Sequence, residues 1–300
     1  MMPEILSHVL PVERIVAESP VVCAGLFRCA PDHPLFPGGR PCSSFCIVFP
    51  RGAAWIRHEG GPRFVADPSV ATAYNQGQVY HRWHIGGRAD RCDWLAFPVS
   101  IVRDAVRKYS PADAEHPEWP LRFVSAPLGA RAYAAQRQLF AALIEGKADA
   151  SAAVEERALA LLDHVVSRAY GAATGDDRRV STRSREAVEA VRHLIARRPE
   201  ERASLADLGD AVGVSPFHLC RAFRAVTGRT ITAFRTELRL RASLERIAAG
   251  EDLTAIALSL GFVSHSHFTQ AFRRAYGVPP ATMRGTSRAR GAVRSRAPVR

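Results

Sequence analysis

Hydrophobic and polar positions alternate in short runs through the first hundred residues and then change period. Val21–Phe27, Phe45–Phe49, Ala53–His58, Arg63–Ala66, Val70–Asn75, Val79–Ile85 and Cys92–Phe97 are rich in β-branched and aromatic residues, the composition of strands. Turn signals separate them: Pro50-Arg51-Gly52, Glu59-Gly60-Gly61-Pro62, Asp67-Pro68, Gln76-Gly77 and Gly86-Gly87. Many short strands so closely spaced predict an antiparallel barrel or sandwich. From Pro98 the period becomes helical. Val99–Tyr109, Leu128–Ile144 and Ala152–Tyr170 are predicted helices, the last with Val154, Ala158, Leu161, Leu162, Val165 and Val166 at helical spacing. Such helices pack on the strands or on a second copy of the chain. Gly171–Thr182, containing Gly175-Asp176-Asp177-Arg178-Arg179, is the linker candidate.

Beyond the linker the pattern repeats at an offset of 49 residues. Ala206 corresponds to Ala255, Val214 to Val263, Ser215 to Ser264, Leu219 to Phe268, Phe223 to Phe272, Thr227 to Tyr276 and Gly228 to Gly277. Each copy is a predicted helix–turn–helix. In the first, Leu205–Val212 is a short helix stopped by Gly213, in a position suited to a left-handed cap. Ser215-Pro216 then supplies an N-cap and a first-turn proline for a second helix with Leu219, Phe223 and Val226 inward. In the second copy Thr254–Leu260, Gly261 and the N-cap Ser264 play the same parts, with Phe268, Phe272 and Tyr276 inward. Ile231–Ala249 joins the copies as a helix with Phe234, Leu238, Leu244 and Ile247 apolar. Its length of about 28 Å compares with ~34 Å for one turn of B-DNA. A stiff connector of that length presents two recognition helices to successive major-groove segments.

Charge sharpens this picture. The chain has 300 residues and a formal net charge of +12. Residues 1–179 are nearly neutral at +1, whereas residues 180–300 carry +11, all of their bases arginine. Arg284 to Arg300 contributes six arginines and no acid. A basic, twice-repeated helical hairpin points to double-stranded DNA as partner. No apolar run approaches the ~20 residues of a membrane span, and no basic-then-apolar leader opens the chain, so the cytoplasm is the expected location. Six cysteines, five of them before residue 100, lack CxxC spacing. Cys29–His33 and Cys42–Cys46 are the best metal-ligand spacing available, but Pro31, Pro34, Pro37 and Pro41 break up the segment, so no metal or other cofactor is expected. Phosphate-binding glycine loops, Gly-x-Ser-x-Gly turns and zinc-protease motifs are absent, and no catalytic residue or enzyme activity is expected.

Residues 184–284 closely resemble the AraC/XylS-type transcription regulators. Ser204-Leu205-Ala206-Asp207-Leu208, Val214-Ser215-Pro216-Phe217-His218-Leu219-Cys220-Arg221-Ala222-Phe223 and Gly261-Phe262-Val263-Ser264-His265-Ser266-His267-Phe268 carry the resemblance, with the following Thr269 to Pro280. Ser243 and Arg246 depart from the alanine and leucine usual in the family's connecting helix. The strand-rich first part is similar to the family's cupin-like sensing domains. The implied fold is α+β: an amino-terminal antiparallel cupin-like β-barrel with helices, then an all-α domain with two helix-turn-helix motifs. The implied domains are 1–172 for sensing or dimerisation (strands about 12–97, helices about 98–170), a linker 173–182, a DNA-binding domain 183–284 with motifs at about 204–228 and 253–277, and a basic tail 285–300. The implied function is sequence-specific transcription regulation. The implied partners are DNA, a small effector of unknown chemistry, a second copy of the chain and, for an activator, RNA polymerase.

With the apolar faces turned inward, Phe217, Cys220, Arg221 and Arg224 in the first recognition helix and His265, Ser266, His267, Gln270 and Arg273 in the second are the candidate DNA-contacting residues. Arg221 suits the O6/N7 edge of guanine and Gln270 the edge of adenine. In the first domain, Trp55, Tyr74, Tyr80, His81, Trp83, His84 and Trp94 offer aromatic and imidazole groups for a pocket. Alternation along Val79–Ile85 puts His81 and His84 on opposite faces, and the His-x-His of metal-dependent cupins is missing. A redox- or metal-sensing, or enzymatic, first domain fused to a DNA-binding module is the alternative that the five thiols suggest.

Overall fold

The computed structural model describes residues 12–146, 152–173 and 181–284. Its first part contains β1 (Glu13–Glu18), β2 (Cys23–Cys29), β3 (Gly38–Pro41), β4 (Phe45–Pro50), β5 (Ala54–His58), β6 (Arg63–Ala66), β7 (Val70–Tyr74), β8 (Val79–His84) and β9 (Asp90–Phe97). Helices α1 (Val99–Arg107) and α2 (Pro111–Ala114), strand β10 (Ser125–Pro127), and helices α3 (Ala130–Ile144) and α4 (Ala152–Ala173) follow. The strands form two antiparallel sheets, β1-β2-β9-β4-β7-β10 and β3-β8-β5-β6, the antiparallel architecture expected, without closure into a barrel among the described residues. The strand predicted at Val21–Phe27 is shifted two residues along, to Cys23–Cys29. β1, β3 and β10 were not individually visible in the hydrophobic pattern, because each is short and owes its conformation to a neighbour's ladder.

Alternation gives β9 two working faces. Cys92, Trp94 and, at the strand's start, Asp90 line a pocket between the sheets, while buried Asp93 and Leu95 face away. Asp93 is enclosed, and Gln136 Nε2 and Arg137 Nη1 of α3 donate to its Oδ2 at 2.7 and 2.5 Å, while Arg51 Nη1 lies 3.6 Å from Oδ1.

The helical part comprises α5 (Thr182–Arg197), α6 (Leu205–Val212), α7 (Pro216–Thr227), α8 (Ile231–Ala248), α9 (Leu253–Ser259), α10 (His265–Tyr276) and a 3-10 turn at Pro280–Met283. Of the expected linker 173–182, Ala173 still belongs to α4 and Thr182 already to α5; residues 174–180 and the expected tail 285–300 lie outside the described residues. Two cores hold the helices. Leu219, Phe223, Phe234 and Leu238 pack with Val188 and Val191 of α5 and with Val65 and Ile85 of the strand domain. Ile247, Phe268, Phe272 and Tyr276 join the large core that runs on into α3, α4 and the six-stranded sheet.

The open edge of β6 is closed by side chains rather than by a strand. The Val65 N–H donates to Glu189 Oε2 at 2.7 Å, and the Val65 carbonyl accepts from Arg192 Nη2 at 2.8 Å. Arg192 also meets buried Asp67 at 2.8 Å. Thus α5 satisfies peptide groups that an edge strand otherwise exposes.

His58 on β5 is buried beside Tyr74 and Phe64, and burial pushes its pKa down to about 4 from an ordinary 6.5. The unfolded chain therefore takes up this proton at a higher pH than the folded one. Its contribution is unpenalised above pH 6.5 and is lost as pH falls towards 4, by on the order of 3 kcal/mol. His164 and His193, both also lowered chiefly by burial, act in the same direction. In urea titrations between pH 7 and 4.5, His58→Gln should show a clearly shallower loss of stability than the parent; an unchanged slope would remove His58 as a cause.

Candidate nucleic-acid interface

Each reading head is built by local capping. Ser204 Oγ accepts from the Asp207 N–H while Asp207 returns a bond to the Ser204 N–H, a reciprocal box that starts α6. Gly213 closes that helix at φ 67°, in the left-handed region expected of it. Ser215 and Ser264 cap α7 and α10 by accepting from the His218 and His267 N–H groups. Thr230 and Asp252 cap α8 and α9 in the same way.

The two copies are not related by one offset. Backbone bonds Gly213 N–H to Asp210 O and Val214 N–H to Gly209 O in the first copy match Gly261 to Leu258 and Phe262 to Ala257 in the second. The first helices therefore correspond at an offset of 48, and Val214 pairs with Phe262 instead of the expected Val263. Likewise Ala206 corresponds to Thr254, not Ala255. The recognition helices keep the offset of 49, as in Leu219 N–H to Ser215 O and Phe268 N–H to Ser264 O. The second turn is longer by one residue, and Val263, 70% exposed, projects from it.

Of the residues expected at the groove, Phe217, Arg221 and Arg224 on α7 and Ser266, His267, Gln270 and Arg273 on α10 are exposed. Phe217 is 73% exposed, and the Arg221 guanidinium lies 5.8 Å from its ring centroid. Two others are less free. Cys220 is half-buried against the core beneath α7. His265 is half-buried, its Nε2 3.3 Å from the Thr269 hydroxyl. His267 leans edge-on to Phe262, so it also covers the longer turn. Helix α3 meets α10 near its far end, where Arg131 lies beside Gly277, and leaves the first turn of α10 open.

A connector residue missed in the sequence sets the relation between the heads. Arg239 of α8 donates from Nε to Pro199 O at 2.6 Å, from Nη2 to Glu200 O and Glu201 O at 3.1 Å each, and from Nη1 to Gly261 O at 3.0 Å. One guanidinium thus ties the lead into the first motif to the turn of the second. Ser243, where the connector departs from its family, is fully buried and returns its hydroxyl to Leu240 O at 2.6 Å. Arg246 instead pairs with Glu251 at the helix end.

The pocket between the sheets, about 110 Å³, is lined by Tyr74, Tyr80, Arg82, Asp90, Trp94, Cys42, Cys46 and Cys92 among others. Arg82 is tied to Asp90 at 3.2 Å and to the Phe36 and Leu35 carbonyls, and among the described residues the Trp94 indole N–H has no partner. Trp55, one of the expected pocket aromatics, instead turns outward and stacks on His193. The Cys42 and Cys46 sulfurs are 3.6 Å apart; the bond from Cys46 draws Cys42 down to about 7 against the opposing effect of burial. His33 is turned to its own loop, accepting the Leu35 N–H. Among the described residues no three His, Cys, Asp or Glu side chains gather as a metal site requires.

Residues 208–286 match a helix-turn-helix domain family. Over 89 residues the chain is 33% identical to a Streptomyces lividans protein described as an AraC-like transcription regulator, covering 29% of each chain. The carboxy-terminal domain is an AraC/XylS-type helix-turn-helix domain. The AraC-type region is also 35% identical over 91 residues to the HTH-type transcriptional regulator GlxA of Rhizobium meliloti (30% of this chain, 27% of GlxA). It is 41% identical over 69 residues to the bifunctional transcriptional activator/DNA repair enzyme Ada of Escherichia coli (23% of this chain, 20% of Ada). The chain thus spans about a fifth to a half of the length of the curated relatives it matches. Among solved structures, ToxT of Vibrio cholerae aligns over 88% of this chain and 97% of its own at 13% identity, with a TM-score of 0.33. No helix among the described residues is long and apolar enough to cross a membrane.

Proposed function

We propose that this chain is a sequence-specific transcription regulator that lays α7 and α10 into successive major-groove segments on one side of a duplex. One observation carries the reading. Two N-capped recognition helices, each with exposed polar and cationic side chains, flank an 18-residue connector that spans about 27 Å at ~1.5 Å per residue. Arg221 is the base reader in the first groove segment and Gln270 in the second, with Arg224 and Arg273 reaching phosphates. The pocket between the sheets, at about 110 Å³, is the place for a very small effector, whose polar contacts come from Tyr80, Arg82 and the Trp94 N–H, unpaired among the described residues. In this reading the chain carries out no reaction; its output is occupancy of an operator.

Selection of binding sites from random duplexes by the full chain tests the reading. It should return a preferred sequence with two recognised segments about one helical turn apart. Arg221→Ala should then cost ~1–3 kcal/mol and relax preference at one segment only. Equal retention of all duplexes by the parent chain would leave only nonspecific charge attraction, and an unaltered preference in the variant would remove Arg221 from base reading.

A further inference from the structure

A second cavity lies between the strand domain and the connector helix. It measures about 400 Å³, within the range of small-molecule sites, and its lining includes Arg28, Arg51, Arg88, Arg91, Arg241 and a single carboxylate, Glu245. The strand domain supplies four of the arginines. Arg28 and Arg91 are directly opposed across β2 and β9, a like-charge pairing that destabilises a sheet unless an anion lies close by. Arg28 and Arg88 are exposed, and among the described residues neither has an acidic partner. Glu245, brought in on α8, bonds Arg51 at 2.6 Å and Arg91 at 2.8 Å. Burial alone would raise its pKa, but the two guanidinium groups outweigh that and hold it ionised below its usual range.

Arg241 supplies an independent sign that the cavity suits an acceptor. Its side chain is completely buried, lies 4.7 Å over the Tyr133 ring and spends Nη2 on Glu237 and on the Leu128 carbonyl. Among the described residues its Nε and Nη1 groups have no partner. Buried guanidinium donors left unpaired carry a desolvation cost that an acceptor in the cavity removes.

We propose that this interdomain cleft binds a small ligand through an oxyanion group, a carboxylate or a phosphate, which competes with Glu245 for Arg51 and Arg91. Glu245 acts there as an internal stand-in for the ligand. Because it sits on the helix that spaces the two reading heads, filling the cleft loosens the hold of the strand domain on that helix.

Calorimetric titration of the full chain, without DNA and at constant ionic strength set with chloride, tests this separately from the proposed operator binding. One arm uses inorganic phosphate and the other an acetate-to-octanoate series, so that the preferred arm names the ligand class. The expected result is one saturable site, about tenfold weaker in Arg28→Gln/Arg88→Gln and about tenfold tighter in Glu245→Gln. The double variant removes two exposed side chains with no acidic partner, so it leaves the fold intact. Absence of binding in both arms, unchanged affinity in the double variant, or weaker binding in Glu245→Gln overturns the proposal. So does displacement of the anion by a random-sequence duplex whose own affinity falls equally in the double variant, since the arginines then belong to a DNA surface.

Discussion

Gly261→Ala should destabilise the protein by about 3 kcal/mol or more and abolish operator binding by the second reading head. Gly261 has φ 81°, where a side chain costs about 1–2 kcal/mol in backbone strain alone. A Cβ there would also lie 2.4 Å from the Glu200 carbonyl oxygen and 2.9 Å from Arg239 Nη2. Neither neighbour is free to retreat, because Glu200 O is itself an acceptor of Arg239. Gly213 provides the control: it caps the first motif with φ 67° but has open space around the same position. Gly213→Ala should therefore cost only the strain, about 1–2 kcal/mol. Urea unfolding of the two variants side by side checks this, and equal losses would mean that the crowding at Gly261 relaxes.

Arg239→Ala should cost about 3 kcal/mol or more, because buried carbonyls left without a donor cost about 1–3 kcal/mol each. Three carbonyls lose their side-chain donor at once, Gly261 O keeps only Arg202 Nη2 at 3.5 Å, and Pro199 to Glu201 lose their link to the second turn. The more informative consequence is for DNA. Each head keeps its own caps and core, so binding to a single half-site should survive at a temperature where the variant is folded. Binding to a two-segment operator should fall more than about tenfold, because the spacing of the heads is no longer held. Arg239→Lys keeps the charge but not the fork, and should lie between the two. Parallel loss on half-site and full operator would show Arg239 to be a stability residue alone.

What was legible in the sequence was what neighbours along the chain decide. Serine caps, glycine stops and inward phenylalanines are local chemistry, and the structure places them where spacing puts them. The slip in the repeat, which paired Val214 with Val263 and Ala206 with Ala255, arose because matching residue types cannot locate a single inserted position in a turn. Long-range pairing was harder to read. β3 and β10 exist only because β8 and β7 hold them, and the division into two sheets instead of a barrel depends on which edges meet. Arg241 did leave a sign, standing three residues after Leu238 and three before Leu244, on the apolar stripe of the connector. A charge in that register is either buried or at an interface, and here it is both. Arg239 and Glu245 gave no such sign, because their partners are backbone carbonyls and the arginines of a distant sheet.

The way α5 finishes the sheet edge at Val65 makes the two halves of the chain unequal when separated. Without Glu189 and Arg192, a fragment ending before Thr182 carries a raw hem of peptide groups at β6, ready to be stitched to another such fragment. Among the described residues the helical half loses no comparable backbone partner on release. Dissecting this protein would thus yield a strand fragment that adheres to itself through that edge, and the adhesion would reflect the missing helix and not a native dimer.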